Sequence, residues 1–222
     1  MPKVSFLTED GVTIVGDHRP GPKDAPAALL LHMMPATKES WDPLQVALAG
    51  RGFATLAIDL RGHGESVVGA AGAKLDHKQF TDAEHQASMF DVDAAVRWFA
   101  AQGVPASRLA IVGASIGANL AIVYAAAHPE VPAAVALSPG IAYHGVRTED
   151  AAKAFPRGQK LLLAASDDDE YSFSSIDALA KADENAELQK LSGAGHGTTM
   201  FERRPDFLAY VSEWIVRNTV PS

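Results

Sequence analysis

The stretch Leu109-Ala110-Ile111-Val112-Gly113-Ala114-Ser115-Ile116-Gly117-Ala118-Asn119-Leu120 changes its structural period half-way along. Its first half is an unbroken apolar run, as a strand buried on both faces requires. Its second half opens an Ala-rich helical pattern that Ala121, Ile122, Ala125 and Ala126 continue. One residue has to turn the chain from strand to helix. Ser115 is that residue, and Gly113 and Gly117 on either side of it lack the Cβ atoms that so sharp a turn would bring into collision. The hydroxyl is then held out at the tip. A plain helix N-cap serine is the competing reading of Gly-x-Ser-x-Gly, since serine is favoured there.

Upstream, Val4, Phe6, Val12 and Ile14 alternate with polar residues around Glu9-Asp10-Gly11, which predicts an antiparallel hairpin. Residues 27–31 form a short apolar strand that ends at His32-Met33-Met34-Pro35. Residues 40–50 form a helix with Trp41, Leu44, Ala47 and Leu48 on one face. Residues 53–58 are a strand that ends at Asp59-Leu60-Arg61-Gly62-His63-Gly64-Glu65-Ser66, and the spacing predicts one helix over 81–101. Downstream come strands at 133–137, 160–165 and 188–191, a helix at 176–182, and a final helix bearing Phe207, Leu208, Val211, Trp214 and Ile215. The strand at 160–165 is closed by Ser166-Asp167-Asp168-Asp169. Alternating strands and helices imply crossover connections, hence an α/β fold with a mostly parallel, doubly wound sheet of about eight strands and helices on both faces. A chain of 222 residues with no linker-like segment reads as one domain over 1–222.

Composition narrows the function. Hydrophobic residues at 47% and charged residues at 21% suit a globular chain, and no apolar run approaches the roughly 20 residues that span a bilayer. A net charge of −8 repels phosphate backbones, so nucleic acid is not an expected partner. The start Met1-Pro2-Lys3-Val4-Ser5 lacks the pattern of a secretory signal, which makes a cytoplasmic location the expectation. The absence of cysteine excludes disulfides, a thiolate nucleophile and cysteine metal sites. His18, His77, His85, His128 and His144 show no ligand spacing, so neither a metal nor a cofactor is expected.

In sheets of this kind chemistry gathers at the carboxyl ends of the strands. His32, Asp59, Ser115, the aspartates 167–169 and His196 all fall there. A serine hydroxyl needs a base within hydrogen-bond reach, and the base needs an acid to fix its tautomer. Ser115, His196 and one aspartate supply that set in the order Ser, Asp, His.

With these residues in place, the sequence resembles the α/β-hydrolase family over nearly its whole length. The resemblance rests on the strand-end His32, on Asp59-Leu60-Arg61-Gly62-His63-Gly64-Glu65-Ser66, on Gly113-Ala114-Ser115-Ile116-Gly117, on the aspartate after Leu161-Leu162-Leu163, and on Gly193-Ala194-Gly195-His196-Gly197. It implies Ser115 as nucleophile and His196 as general base. Aligning Ala165-Ser166-Asp167-Asp168 with the family's Gly-x-x-Asp selects Asp168 as the acid, with Asp167 as runner-up. It also implies an oxyanion hole formed by the backbone N–H groups of Ile116 and of Met34, although Met33 stands where the family usually has glycine. His32, Arg61 and His63 are expected to hold loops by hydrogen bonds. Arg203 and Arg204 read as solvated surface charge, with binding of a substrate carboxylate as the alternative.

About 20 residues separate Ser138 from Lys160, too few for the separate lid domain that family members often insert here, so an open site is expected. The resemblance therefore points to a capless serine esterase, similar in size to dienelactone hydrolase-like proteins, acting on a small-molecule ester. A thioesterase or perhydrolase with the same triad, and a non-catalytic ligand-binding or receptor protein on the same fold, are the alternatives.

Overall fold

A computed structural model describes residues 2–219; Met1, where the reading of the leader begins, lies outside the described residues. The chain runs β1 (Lys3–Leu7), β2 (Thr13–Arg19), β3 (Ala27–Leu31), α1 (Asp42–Ala49), β4 (Ala54–Ile58), α2 (Asp82–Gln86), α3 (Met89–Ala101), β5 (Leu109–Ala114) and α4 (Ile116–Ala127). It continues through β6 (Ala133–Leu137), β7 (Ala142–Tyr143), β8 (Val146–Arg147), α5 (Glu149–Lys153), β9 (Lys160–Ser166), α6 (Glu170–Ala182), β10 (Glu187–Leu191), α7 (Thr199–Arg203) and α8 (Pro205–Thr219).

Eight strands form one sheet in the order β1-β2-β4-β3-β5-β6-β9-β10. The pairs β1–β2 and β2–β4 are antiparallel and the remaining pairs parallel, so the expected hairpin is attached to the edge of a parallel sheet. Along the parallel strands the register pairs Leu31 with Gly113, Ala114 with Leu137 and Leu137 with Ala164. The carboxyl ends of β3, β5, β6 and β9 thus lie side by side, and their loops share one edge.

The unbroken apolar run of β5 follows from burial on both faces. Leu109 and Ile111 join the core beneath α3, α4 and α6, whereas Ala110, Val112 and Ala114 join the core beneath α1 and α8. Ala118, Ala121 and Ala125 of α4 are fully buried, and these small residues let that helix lie close on the sheet. Trp41 and Trp214 fill the opposite face. Among the described residues no helix is long and apolar enough to cross a membrane.

Two expectations need correction. The helix expected over 81–101 is two helices. Thr81 and Glu84 form a capping box that starts α2, and Ala87 and Ser88 interrupt the chain before α3. The helix expected at 176–182 begins at Glu170, while the strand before it extends to Ser166, which pairs with Leu191. Within 138–160, where no element was read from the sequence, β7 and β8 form a hairpin around His144 and Gly145, both at positive φ (47° and 77°). Strands of two residues carry no hydrophobic period by which to find them.

Candidate active site

Ser115 stands between β5 and α4 with φ 55° and ψ −120°. It makes no side-chain capping bond, and an N-cap residue would sit in the extended region, so the competing helix-cap reading fails. The strained backbone costs on the order of 1–3 kcal/mol and is held from both sides. Its N–H donates to Leu137 O at 2.9 Å, and its carbonyl accepts from the Ala118 and Asn119 amides. A Cβ on Gly113 would collide with the Gly117 carbonyl, and one on Gly117 with the Leu31 and His32 carbonyls. Both neighbours are backbone, so neither collision can be relieved by a side-chain rotation.

His196 lies on the loop between β10 and α7, and four consecutive residues leaving β9 hold that loop one by one. Ser166 Oγ accepts from the Ala194 amide, Asp167 from Ser192 Oγ and the Gly193 amide, and Asp168 from the Gly195 amide. Asp169 Oδ2 meets His196 Nδ1 at 2.6 Å. The carboxylate paired with the histidine is therefore Asp169, and not the expected Asp168 or its runner-up Asp167. Asp168 instead takes Arg203 at 3.1 Å, and Arg204 pairs with Asp206, both at the surface. The physical reason is the length of β9: Ser166 is still a strand residue, which moves the turn, and the side chain that reaches the histidine, one residue along.

The loops converge. A Cβ on Gly197, which follows His196, would lie 2.5 Å from Met33 Sδ and 3.3 Å from Ala114 Cβ, which precedes Ser115. The Gly197 amide donates to Ser138 Oγ at 2.9 Å, at the end of β6. Met33, in place of the family's glycine, thus packs the loop after β3 against the histidine loop. Ile116 is the first residue of α4, so its N–H finds no carbonyl within its own helix. Among the described residues the Met34 N–H makes no hydrogen bond either. The geometry leaves both expected oxyanion donors unengaged.

Behind this loop sits a buried polar frame. Asp59, fully buried, accepts from the Lys38 amide, the Lys38 ammonium at 2.7 Å and the Glu65 amide, and its contact with Lys38 holds that ammonium above its ordinary range against the cost of burial. Arg61 binds Asp91 and Asp10, which ties the loop after β4 to α3 and to the first hairpin. His32 Nε2 accepts from the Leu60 amide and its Nδ1 faces the Met33 carbonyl, so the ring is neutral with its proton on Nδ1; burial lowers it to about 4. His63, lowered by burial to about 3, stacks on His77 at 3.8 Å, and its Nε2 has no hydrogen-bond partner among the described residues. These residues hold loops, as expected of them. Among the described residues no cluster of His, Asp and Glu side chains has the geometry to hold a metal ion.

Tyr143 is a site residue that sequence reading missed. It is the last residue of β7, its ring perpendicular to that of His196 with centroids 6.5 Å apart. Its hydroxyl is 3.0 Å from Ser172 Oγ. Burial raises its phenol above the ordinary value, so it stays protonated. Asn119 of α4 anchors the hairpin by accepting from the Gly140 amide and donating to the Val146 carbonyl, and the Tyr171 hydroxyl bridges the Ala142 backbone. The buried Asn119 in an otherwise apolar helix was the available signal, since a buried amide needs partners.

A parallel sheet with a serine at a strained strand-to-helix turn, beside an aspartate-held histidine, defines a hydrolase of the α/β class. The sequence profile of the alpha/beta hydrolase fold matches residues 26–160, and the chain belongs to that family. It is 33% identical over 130 residues to a bifunctional esterase/perhydrolase of Acinetobacter calcoaceticus, a match covering 59% of this chain and 41% of that protein. Among solved structures, an esterase of Pyrococcus furiosus superimposes with a TM-score of 0.77 at 19% identity, over 99% of this chain and 91% of that one. A dienelactone hydrolase of Anabaena variabilis superimposes with a TM-score of 0.73 at 18% identity, over 98% of each chain. At these identities the two structures share the fold.

Proposed function

We propose that the protein is a serine carboxylesterase that cleaves short-chain carboxylic esters through an acyl-enzyme. The observation that carries this reading is the 2.6 Å pairing of Asp169 with His196 on a loop seated against the residue preceding Ser115. With its Nδ1 proton held by Asp169, His196 offers Nε2 as the base. Ser115 attacks the ester carbonyl, His196 takes its proton and passes it to the leaving alcohol, and the Ile116 and Met34 amides receive the charge on the carbonyl oxygen. The segment 138–160 supplies one small hairpin and a single-turn helix, so the mouth stays open to substrates from solvent. The Acinetobacter relative supports the esterase reading and favours one variation of it, in which hydrogen peroxide in place of water takes the acyl group from Ser115.

Turnover of p-nitrophenyl esters from acetyl to decanoyl tests the proposal. The wild type is expected to prefer the shortest chains, and Ser115→Ala to lose about a thousandfold or more. Equal rates for the two proteins would sink the mechanism. A rate that climbs steadily with chain length would sink the substrate class.

A further inference from the structure

The sulfur of Met33 lies where Gly197, the residue after His196, has no side chain. A Cβ on that glycine would come within 2.5 Å of Met33 Sδ and 3.3 Å of Ala114 Cβ, beside Ser115. The thioether also accepts from the hydroxyl of buried Thr198 at 3.9 Å, so the two residues that follow His196 both rest on one sulfur. Sulfur in this form is apolar and only a weak acceptor. Met33 is part-exposed, whereas Met200 is fully buried and the part-exposed Met34 and Met89 pack into the core on the opposite face of the sheet. An oxidant that reaches Met33 therefore acts on the packing of the histidine loop.

We propose that Met33 is an oxidation site through which hydrogen peroxide reversibly lowers the activity; the loss of activity rests on the serine esterase reading, and the oxidation itself does not. A sulfur lone pair attacks one peroxide oxygen, the O–O bond breaks as the S–O bond forms, and the other oxygen leaves with both protons as water. Sulfur loses two electrons and peroxide gains them. The sulfoxide is polar where the thioether was apolar, and its oxygen finds no room toward Gly197. It is also a far stronger acceptor for the Thr198 hydroxyl, so the contact that held residues 197 and 198 is remade in a new place. The Thr199 and Met200 amides donate to the His196 and Gly197 carbonyls, which ties any shift at these two residues to His196. A thiol-driven methionine sulfoxide reductase reverses the change, the oxygen leaving as water and the thiols becoming a disulfide.

Wild type, Met33→Leu and Met34→Leu are treated with hydrogen peroxide, and catalase then removes it so that none competes with water for the acyl group. Turnover of p-nitrophenyl acetate is read against each protein's own untreated rate, while fragment masses of the digested protein place the added oxygen on single residues. Wild type and Met34→Leu are expected to lose about 10- to 100-fold as residue 33 gains one oxygen, the scale of a misplaced catalytic group. Met33→Leu is expected to keep most of its rate, and reductases for both sulfoxide epimers to restore the wild type. Met33→Leu losing activity as fast as wild type overturns the proposal, and so does a residue 33 that takes the oxygen with no change in rate. A residue 33 that stays unoxidised while Met34 and Met89 react overturns it as well. Should Met33→Leu not fold, the wild type alone decides: activity that fails to return as residue 33 loses its oxygen refutes the inference. An untreated wild type with no ester turnover defeats the esterase reading instead, and the oxidation of Met33 then stands or falls by its mass.

Discussion

Asp169 holds His196 by one side-chain bond of 2.6 Å, and a carboxylate at Nδ1 keeps the ring proton there and leaves the Nε2 lone pair available, as the proposed base requires. Asparagine at 169 can present its amide to Nδ1 and stabilise the opposite tautomer, with the proton on Nε2 where a base is needed. Asp169→Asn is expected to lower kcat on p-nitrophenyl acetate by about 10⁴. Asp168→Asn loses the bonds to Gly195 and Arg203 but leaves the imidazole held, and its loss should stay within about tenfold. Equal losses in the two variants would mean that the aspartates act only by shaping the loop. The strand-end positions of Ser115, Ile116 and His196 were legible in the sequence because each is tied to a local pattern of glycines there. The aspartate that pairs with His196 was legible only as a run of three. Which of them faces His196 depends on where β9 stops, and that is decided by its pairing with β10 rather than by the aspartates themselves.

The loops after β3 and β4 are joined as one element by Asp59. Three donors converge on its buried carboxylate, and Gly64, at φ 49°, passes so close that a Cβ there would strike it. Lys38 has 2% of its side chain exposed, so removing its charge strands Asp59 without water to replace it. Lys38→Met is expected to destabilise the protein by about 3–5 kcal/mol. At this chain length the loss corresponds to a melting temperature lower by roughly 10 °C. Lys38→Met combined with Asp59→Asn should recover part of the deficit, because the stranded charge is gone. Thermal unfolding of the three variants checks this, and additive losses would show that the pair is not coupled. The same frame carries the Met33-Met34 turn, so the single variant should also lower kcat where Met34 serves as an oxyanion donor.

Across the whole molecule, buried histidines make stability depend on pH. His32 and His63 titrate at about 4 and about 3 in the folded protein, below the ordinary 6.5 of an exposed ring. As pH falls below 6.5 the unfolded chain binds protons that the folded chain refuses, so stability is fully present above that value and is lost toward the folded-state values. Asp91 works in the opposite sense over part of the range, its burial lifting it to about 6. The contribution of one histidine is therefore read by difference. The stability gap between wild type and His63→Asn is expected to narrow by roughly 2 kcal/mol between pH 7 and pH 4.5 in denaturant unfolding. A constant gap would mean that His63 is not held neutral.

Glycines on both sides of Ser115, an unbroken apolar run before it and small residues after it determine the elbow, because no other local conformation satisfies all three. Alternating strand and helix patterns determine the parallel sheet, and the lack of room between Ser138 and Lys160 rules out a separate lid domain there. Tertiary structure alone decided that Asp169 is the partner of His196, that Met33 packs the loop after β3 against the histidine loop, and that Tyr143 stands beside His196. Each of these depends on the exact ends of strands and on a hairpin of two-residue strands. Such features are set by pairing and by single buried hydrogen bonds, as from Asn119, and hydrophobic periodicity has no means of recording them.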